Sequence, residues 1–341
     1  MSFPIELIDT RTVEEFKLKA LHQLYLEWDA EWAPYDPVIP FPKRLAEWRH
    51  VRDLEDVPRW VAWDGDRAVG TSGVYLHRTQ DLDNAWGWLF VSRSYRQKGL
   101  SRALARLPVE YSGVHNRKRI AVGVLKDSEY GVIPERAGMK AVYNERVSQL
   151  RISDLDFDML EGWVERAAER ARDYELLFLP MPIPEEHRPR MIKVMEVMNT
   201  APLEDFEEEP TVWDEEMLQD VETTEILKQN DIYTYVARHK PTGDFVGYTS
   251  LVFQALHPET ANQWDTGVDP EHRNLGLGRW LKAAMMLKFL VEHPDVKVVE
   301  TQNADSNEPM LNINVAMGFK PTKHEIIYQG ELDPVIDYLN R

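Results

Sequence analysis

"EHRNLGLGRWLK", Glu271 to Lys282, sets two glycines one residue apart where an apolar helical pattern begins, with basic residues on both sides. The first turn of a helix has N–H groups without intrahelical acceptors, and the macrodipole is positive there. A glycine turn feeding such a helix can aim several free backbone N–H groups at one phosphate. The stretch therefore poses a cofactor question before a substrate question.

The rest of the chain narrows the answer. With 341 residues it is long enough for two domains of ordinary size. Its 43% hydrophobic, 10% aromatic and 29% charged residues describe a soluble globular protein. No run reaches the ~18 apolar residues of a membrane span, and "MSFPIELIDTRTVEEF" has neither the basic nor the apolar region of a signal peptide. A cytoplasmic location is expected. The absence of Cys removes disulfides, thiolate nucleophiles and Cys-ligated metals together. The ten His are scattered, none at the spacing of a metal-binding helix, so no metal is expected. A net charge of −18 repels nucleic acid and anionic membranes, and neither is an expected partner. The acidic stretches "LEDFEEEP" (203–210) and "DEEMLQD" (214–220) read as a solvated loop and a solvated helix face.

The chain also repeats itself. "WVAWDGDRAVGTSGVYL" (60–76) and "YVARHKPTGDFVGYTSLVF" (235–253) both read as a β-hairpin, and "FVSRSYRQKGLSRAL" (90–104) parallels "GVDPEHRNLGLGRWL" (267–281). Gly70 and Gly247, Val91 and Val268, Arg96 and Arg273, and Gly99 and Gly276 share one offset of 177. "ERAGMKAV" (135–142) matches "NVAMGFKP" (314–321) at an offset of 180. Two copies of one unit explain this, with a boundary near residue 153: a first domain over 1–153 and a second over 154–341.

Within the second copy the patterns predict a helix over 161–172, a strand over 174–179, helices over 185–198 and 215–228, and a hairpin over 232–239 and 245–253. A strand over 263–268 and a helix from about Gly278 to Val291 follow, the helix stopped by Pro294. Then come a buried strand over 296–302, a helix over 308–317 and a closing strand over 324–330. The fold class expected is α/β (α+β): two tandem units, each a mixed, mostly antiparallel sheet flanked by helices.

This arrangement resembles the GNAT superfamily of N-acetyltransferases, and in particular its bacterial two-domain members. The family signature, a Q/RxxGxG/A turn between a strand and a helix, reads here Arg273, Asn274, Leu275, Gly276, Leu277, Gly278. Downstream, "TQNADSNEPMLNINVAMGF" (301–319) is similar to the family's strand, Asn-bearing turn and helix ending in Gly-Phe. No third glycine completes a dinucleotide fingerprint, and no GK[ST] completes a P-loop.

The resemblance implies that the anion is the pyrophosphate of acetyl-CoA. Gly276 and Gly278, lacking Cβ atoms, let the turn close on phosphate oxygens, while His272, Arg273, Arg279, Lys282 and Lys288 supply positive charge. It further implies that backbone groups of Thr266, Gly267 and Val268 bind the pantetheine, with the Val268 N–H facing the thioester carbonyl. An amine would attack directly, and the acceptor is expected to be a small-molecule primary amine. Asp265 is the candidate base, with a strand-kink role as the alternative. Asn314 stands where the family often has an acidic Tyr; an amide can hydrogen-bond sulfur or pantetheine but cannot donate its proton as an acid, and Tyr248 or water are alternatives. Asn303 and Asn307 are expected along the pantetheine arm, with capping equally open for Asn307.

A non-catalytic CoA-binding regulatory module is the alternative function, kept open by Asn314, and a pseudo-symmetric interaction protein is a third. The first copy reads as catalytically silent: Ser101 replaces the second glycine, Trp88 stands at the Asp265 position, and Pro108 is expected to break the helix after about two turns. Monomer and homodimer both stay open, because two fused copies already bury surface that a dimer would use.

Overall fold

The computed structural model describes residues 3–341. In chain order it has β1 (Ile5–Ile8), α1 (Glu15–Trp32), α2 (Phe41–Arg49), β2 (Glu55–Asp56), β3 (Arg59–Asp64), β4 (Arg67–His77), β5 (Asn84–Val91), α3 (Leu100–Val114), β6 (Arg119–Leu125), α4 (Val132–Arg136) and β7 (Lys140–Arg151). Then follow α5 (Phe157–Arg170), β8 (Tyr174–Leu179), α6 (Arg188–Met195), α7 (Glu215–Leu227), β9 (Asn230–His239), β10 (Phe245–Gln254), β11 (Thr260–Val268), α8 (Leu277–Glu292), β12 (Val298–Ala304), α9 (Glu308–Met317), β13 (Lys320–Glu331) and α10 (Leu332–Asn340). Among the described residues, no helix is long and apolar enough to cross a membrane.

Contacts divide the chain into two units, and not at a single point. The first comprises the segment ending at Glu145 together with Leu203–Pro210 and Lys323–Arg341; the second comprises Arg146–Pro202 and Thr211–Thr322. In the first unit the strand order is β1-β3-β4-β5-β6-β13. Its last strand comes from the far end of the chain, with Ile327 opposite Gly123 and Glu331 opposite Arg119. The segment 324–330, expected to close the second copy, therefore closes the first unit's sheet. Alternating apolar residues fix which face of a strand is buried but not which neighbour it pairs with.

In the second unit the order runs from the end of β7 through β12-β11-β10-β9-β8. β10 is buried along nearly its whole length because helices cover both faces. Leu251 packs with Leu160, Met285, Met286 and Phe289 of α5 and α8 on one side. Phe245 and Tyr248 pack with Met191, Val194 and Leu218 of α6 and α7 on the other. Full burial of each such side chain contributes about 1.5–3 kcal/mol. Local signals set the helix starts: Asp156 and Asp214 cap α5 and α7 by accepting from Met159 N at 2.9 Å and Met217 N at 2.8 Å. α6 is shorter than the 185–198 expected and passes into a 3-10 turn over Glu196–Thr200.

The break expected at Pro108 does not occur, and α3 runs on to Val114. A proline at 108 leaves the carbonyl of Leu104 without its intrahelical N–H. The buried Ser72 hydroxyl of β4 donates to that oxygen at 2.8 Å. The lost hydrogen bond is replaced from outside the helix, so the chain can keep its helical path.

Candidate active site

The site in the second unit is built where β11 leaves its parallel neighbour. β11 and β12 are paired only from Thr260 opposite Val298 to Gln263 opposite Thr301, and β11 then continues to Val268. On its other edge β11 is bulged: Leu251 faces Gln263 but Thr249 faces Thr266, so Trp264 and Asp265 share one partner position. A bulge bends and twists its strand, which turns the second half of β11 away from β12.

The register decides which backbone groups face the gap. Asp269 N donates to Val246 O at 2.8 Å, flanking the Gly247–Val268 pair. That pair is thus of the non-hydrogen-bonded kind, with its own N–H and C=O directed away from β10. The backbone of Val268, and of Thr266 two residues earlier, therefore faces the opening beside β12. On that edge the Val268 carbonyl accepts from Arg273 Nε at 2.8 Å, and an Arg273 terminal nitrogen donates to Thr200 Oγ1 at 2.5 Å. Gly267 lies against the 3-10 turn, where a Cβ would come within 2.4 Å of Val197 Cγ1.

The glycine turn follows. Asn274 and Gly276 both take left-handed backbone conformations, with φ of 67° and 84°, and Gly276 is the N-cap of α8. A Cβ built on Gly276 meets nothing within 4 Å, and residues 273–276 are exposed. The free N–H groups at the start of α8 thus open onto solvent instead of being packed. Arg279 lies over the Trp163 ring at 5.3 Å, on the opening turn of the same helix.

Asp265 is half-buried, and burial pushes its carboxyl above the ordinary range while a hydrogen bond from Tyr248 pulls it back. That bond runs from the Tyr248 hydroxyl to Oδ2 at 2.8 Å. Tyr248 is fully enclosed, and its phenol is pushed well above its usual value by burial and by Asp265.

Lys282, expected to add positive charge for the phosphate, is buried instead. It is 1% exposed, its ammonium donates to Asn314 Oδ1 at 2.6 Å, and Asn314 Nδ2 donates to Asn303 Oδ1 at 2.6 Å. Burial pulls the Lys282 pKa down to about 7. The signal was in the sequence: Met286 and Phe289 follow Lys282 by four and seven residues, on the stripe that faces the core. Asn307 caps α9 by accepting from Met310 N at 3.4 Å. The structure thus brings Asn303 and Asn314 together with Lys282, and puts Asp265 with Tyr248.

The profile of the acetyltransferase (GNAT) family matches residues 19–131 and 196–319. The chain belongs to that family. No curated protein matches it in sequence. A tandem GNAT protein from the clavulanic acid biosynthesis pathway, in a structure without AcCoA, superimposes with a TM-score of 0.77 at 21% identity, over 97% of this chain and 99% of its own. A GCN5-related N-acetyltransferase from Sphaerobacter thermophilus gives a TM-score of 0.69 at 14% identity over 97% of both chains. Such likenesses establish a tandem GNAT fold, and the family is one of acetyltransferase enzymes whose fold supports acyl transfer from acyl-CoA.

The first GNAT unit keeps more of this geometry than its residues suggest. Gln97 and Gly99 have φ of 60° and 80°, as Asn274 and Gly276 do, and Arg96 Nε donates to Val91 O at 2.9 Å, as Arg273 does to Val268. β5 pairs with β6 only from Asn84 to Gly87, so its end also diverges. The difference is in the charge: both terminal nitrogens of Arg96 are bound by Glu31, at 2.9 and 2.6 Å. Arg106, on the helix that follows the turn, is likewise paired with Glu110 at 3.0 Å.

Proposed function

We propose that the second unit transfers an acetyl group from acetyl-CoA directly to the primary amine of a small molecule. The observation that carries this reading is the open left-handed turn at Gly276, set at the N-terminus of α8 directly after a strand whose backbone faces an unpaired gap. The turn residues Arg273, Asn274, Leu275, Gly276, Leu277, Gly278 and Arg279 would hold the pyrophosphate by backbone N–H groups and the helix dipole. Thr266, Gly267 and Val268 would take the pantetheine in the way an added strand is taken, because the backbone of Thr266 and the N–H of Val268 face the gap at strand spacing. Asn303 and Asn314 lie along that arm, and Asn307 fixes the start of α9.

Asp265 accepts the proton of the incoming ammonium, directly or through water, and its raised pKa brings its basicity closer to neutral pH. The Val268 N–H stabilises the oxyanion that forms when the amine nitrogen bonds to the thioester carbon. The C–S bond then breaks, the acylated nitrogen gives up its second proton to solvent to leave a neutral amide, and the thiolate takes a proton from solvent, since Asn314 has none to give as an acid. Lys282 donates to the Asn314 amide oxygen and so strengthens the bond that Asn314 Nδ2 donates to Asn303.

A thiol-release assay with acetyl-CoA and a panel of small amines tests the reading. Turnover that depends on the amine supports it. Calorimetric binding of CoA with no turnover on any small or peptide amine would replace it with a non-catalytic CoA-binding module.

A further inference from the structure

The first unit has a pocket whose walls are almost entirely aromatic. Tyr25 and Trp28 of α1, Arg59 of β3, Tyr75 of β4, and Trp86, Gly87 and Trp88 of β5 line about 580 Å³ of space, open mouth included. Arg59 is the one cation among these residues, and it is 6% exposed. Its guanidinium lies over the rings of Trp88 at 4.9 Å, Tyr25 at 5.5 Å and Trp48 at 5.8 Å.

The polar partners of this guanidinium fall short. One terminal nitrogen donates to the Tyr25 hydroxyl, which carries no charge to offset it. Arg59 Nε and Trp88 Nε1 are both buried without an acceptor. Among the described residues Arg59 makes no ion pair, and the two carboxylates that act on the pocket's Tyr75 are engaged elsewhere: Glu47 pairs with Lys43 at 2.9 Å and with Arg44 at 3.7 Å, and Glu55 pairs with Arg52. A charge withdrawn from water without a counter-ion is costly, and so is each buried N–H left without an acceptor. Cation–π contacts offset part of this but supply neither a negative charge nor an acceptor. An anion entering the pocket would supply the missing charge and an acceptor, and the surrounding rings would pack against a flat apolar body.

We propose that this pocket binds a small aryl carboxylate, with its ring among Trp28, Tyr75, Trp86 and Trp88 and its carboxylate on Arg59. The site is independent of the acyl-transfer reading: it uses none of the residues of the second unit and needs no covalent step.

Calorimetry on the full chain with phenylacetate as the probe tests it, with 2-phenylethanol, benzylamine and inorganic phosphate as comparisons. Phenylacetate should bind one saturable site, and each of the other three at least tenfold more weakly. Arg59→Met should lose phenylacetate binding by tenfold or more. The thermal midpoint of that variant without ligand should stay level or rise, because an unpaired buried cation has been removed. Trp88→Phe, which keeps a ring and removes one spare N–H, should weaken binding several-fold and serves if Arg59→Met does not fold. The proposal is overturned if phenylacetate shows no saturable binding, if 2-phenylethanol binds equally well, or if phenylacetate binding is unchanged in either folded variant.

Discussion

Tyr248, enclosed in the core of the second unit, donates its hydroxyl to Asp265 Oδ2 at 2.8 Å across the bulged edge of β11. Burial raises the Asp265 pKa and the Tyr248 hydrogen bond lowers it, so the carboxylate ionises above the usual carboxylate range. A base acts when deprotonated, and kcat/KM should therefore rise with pH as Asp265 ionises. Asp265→Asn is expected to cut kcat by about 10²-fold or more, to leave CoA affinity within a few-fold, and to remove that rising limb. Tyr248→Phe deletes the bond that favours the ionised form, so the limb should move to higher pH. Unchanged activity in Asp265→Asn would return Asp265 to a structural role.

Gly278 offers a cleaner probe of the phosphate site than Gly276. Any L-residue at Gly276 is strained by its φ of 84°, whereas a Cβ at Gly278 meets only the tip of Ile313, at 3.3 Å. Gly278→Glu should fold and lose CoA affinity by at least tenfold in calorimetry, since it puts a negative charge at the helix N-terminus. Gly99→Asp in the first unit, at a φ of 80°, should cost some stability yet leave turnover nearly intact. Comparable loss of turnover in both folded variants would bring the first unit into catalysis.

Lys282 gives a stability prediction with a definite sign. Its folded pKa of about 7 lies below the ordinary lysine value near 10.4, so between these pH values the unfolded chain holds a proton that the folded chain has lost. Stability from this group therefore rises with pH above about 7, and the burial penalty is felt in full below it. Lys282→Met should be more stable than the parent at pH 6 and should lose that advantage toward pH 10, where only the unpaired Asn314 oxygen counts against it. Denaturant unfolding at the two pH values measures this; a difference independent of pH would show that Lys282 is not buried as an ammonium.

Ser72 and Pro108 should be energetically coupled through the Leu104 carbonyl. Ser72→Ala leaves that oxygen without a donor and should cost about 1–3 kcal/mol in unfolding experiments. In a Pro108→Ala background the helix supplies its own N–H, and the same substitution should cost less. Additive effects in this double-mutant cycle would rule the replacement bond out as a stabilising feature.

What the sequence by itself determined is local. The helix at the glycine turn, expected from about Gly278 to Val291, forms over Leu277–Glu292; the helix expected over 308–317 forms as Glu308–Met317; and the strand expected over 174–179 forms as β8. Periodicity, caps and turn glycines act over a few residues, and the family motif is a string of neighbours, so both are written along the chain. The left-handed turn at Gly276 belongs to the same class. The tertiary structure decided everything that depends on a distant partner. Ser72, 32 positions before Leu104, lets a proline sit inside α3, and Asn314, 32 positions after Lys282, receives a buried ammonium that the sequence assigns to the phosphate turn. β13 pairs with β6, some two hundred residues upstream, and nothing in the alternation of "HEIIYQG" names that strand. Burial and hydrogen-bond partners are properties of what packs against a residue, and a pattern along the chain specifies the face that is buried but not the neighbour that buries it.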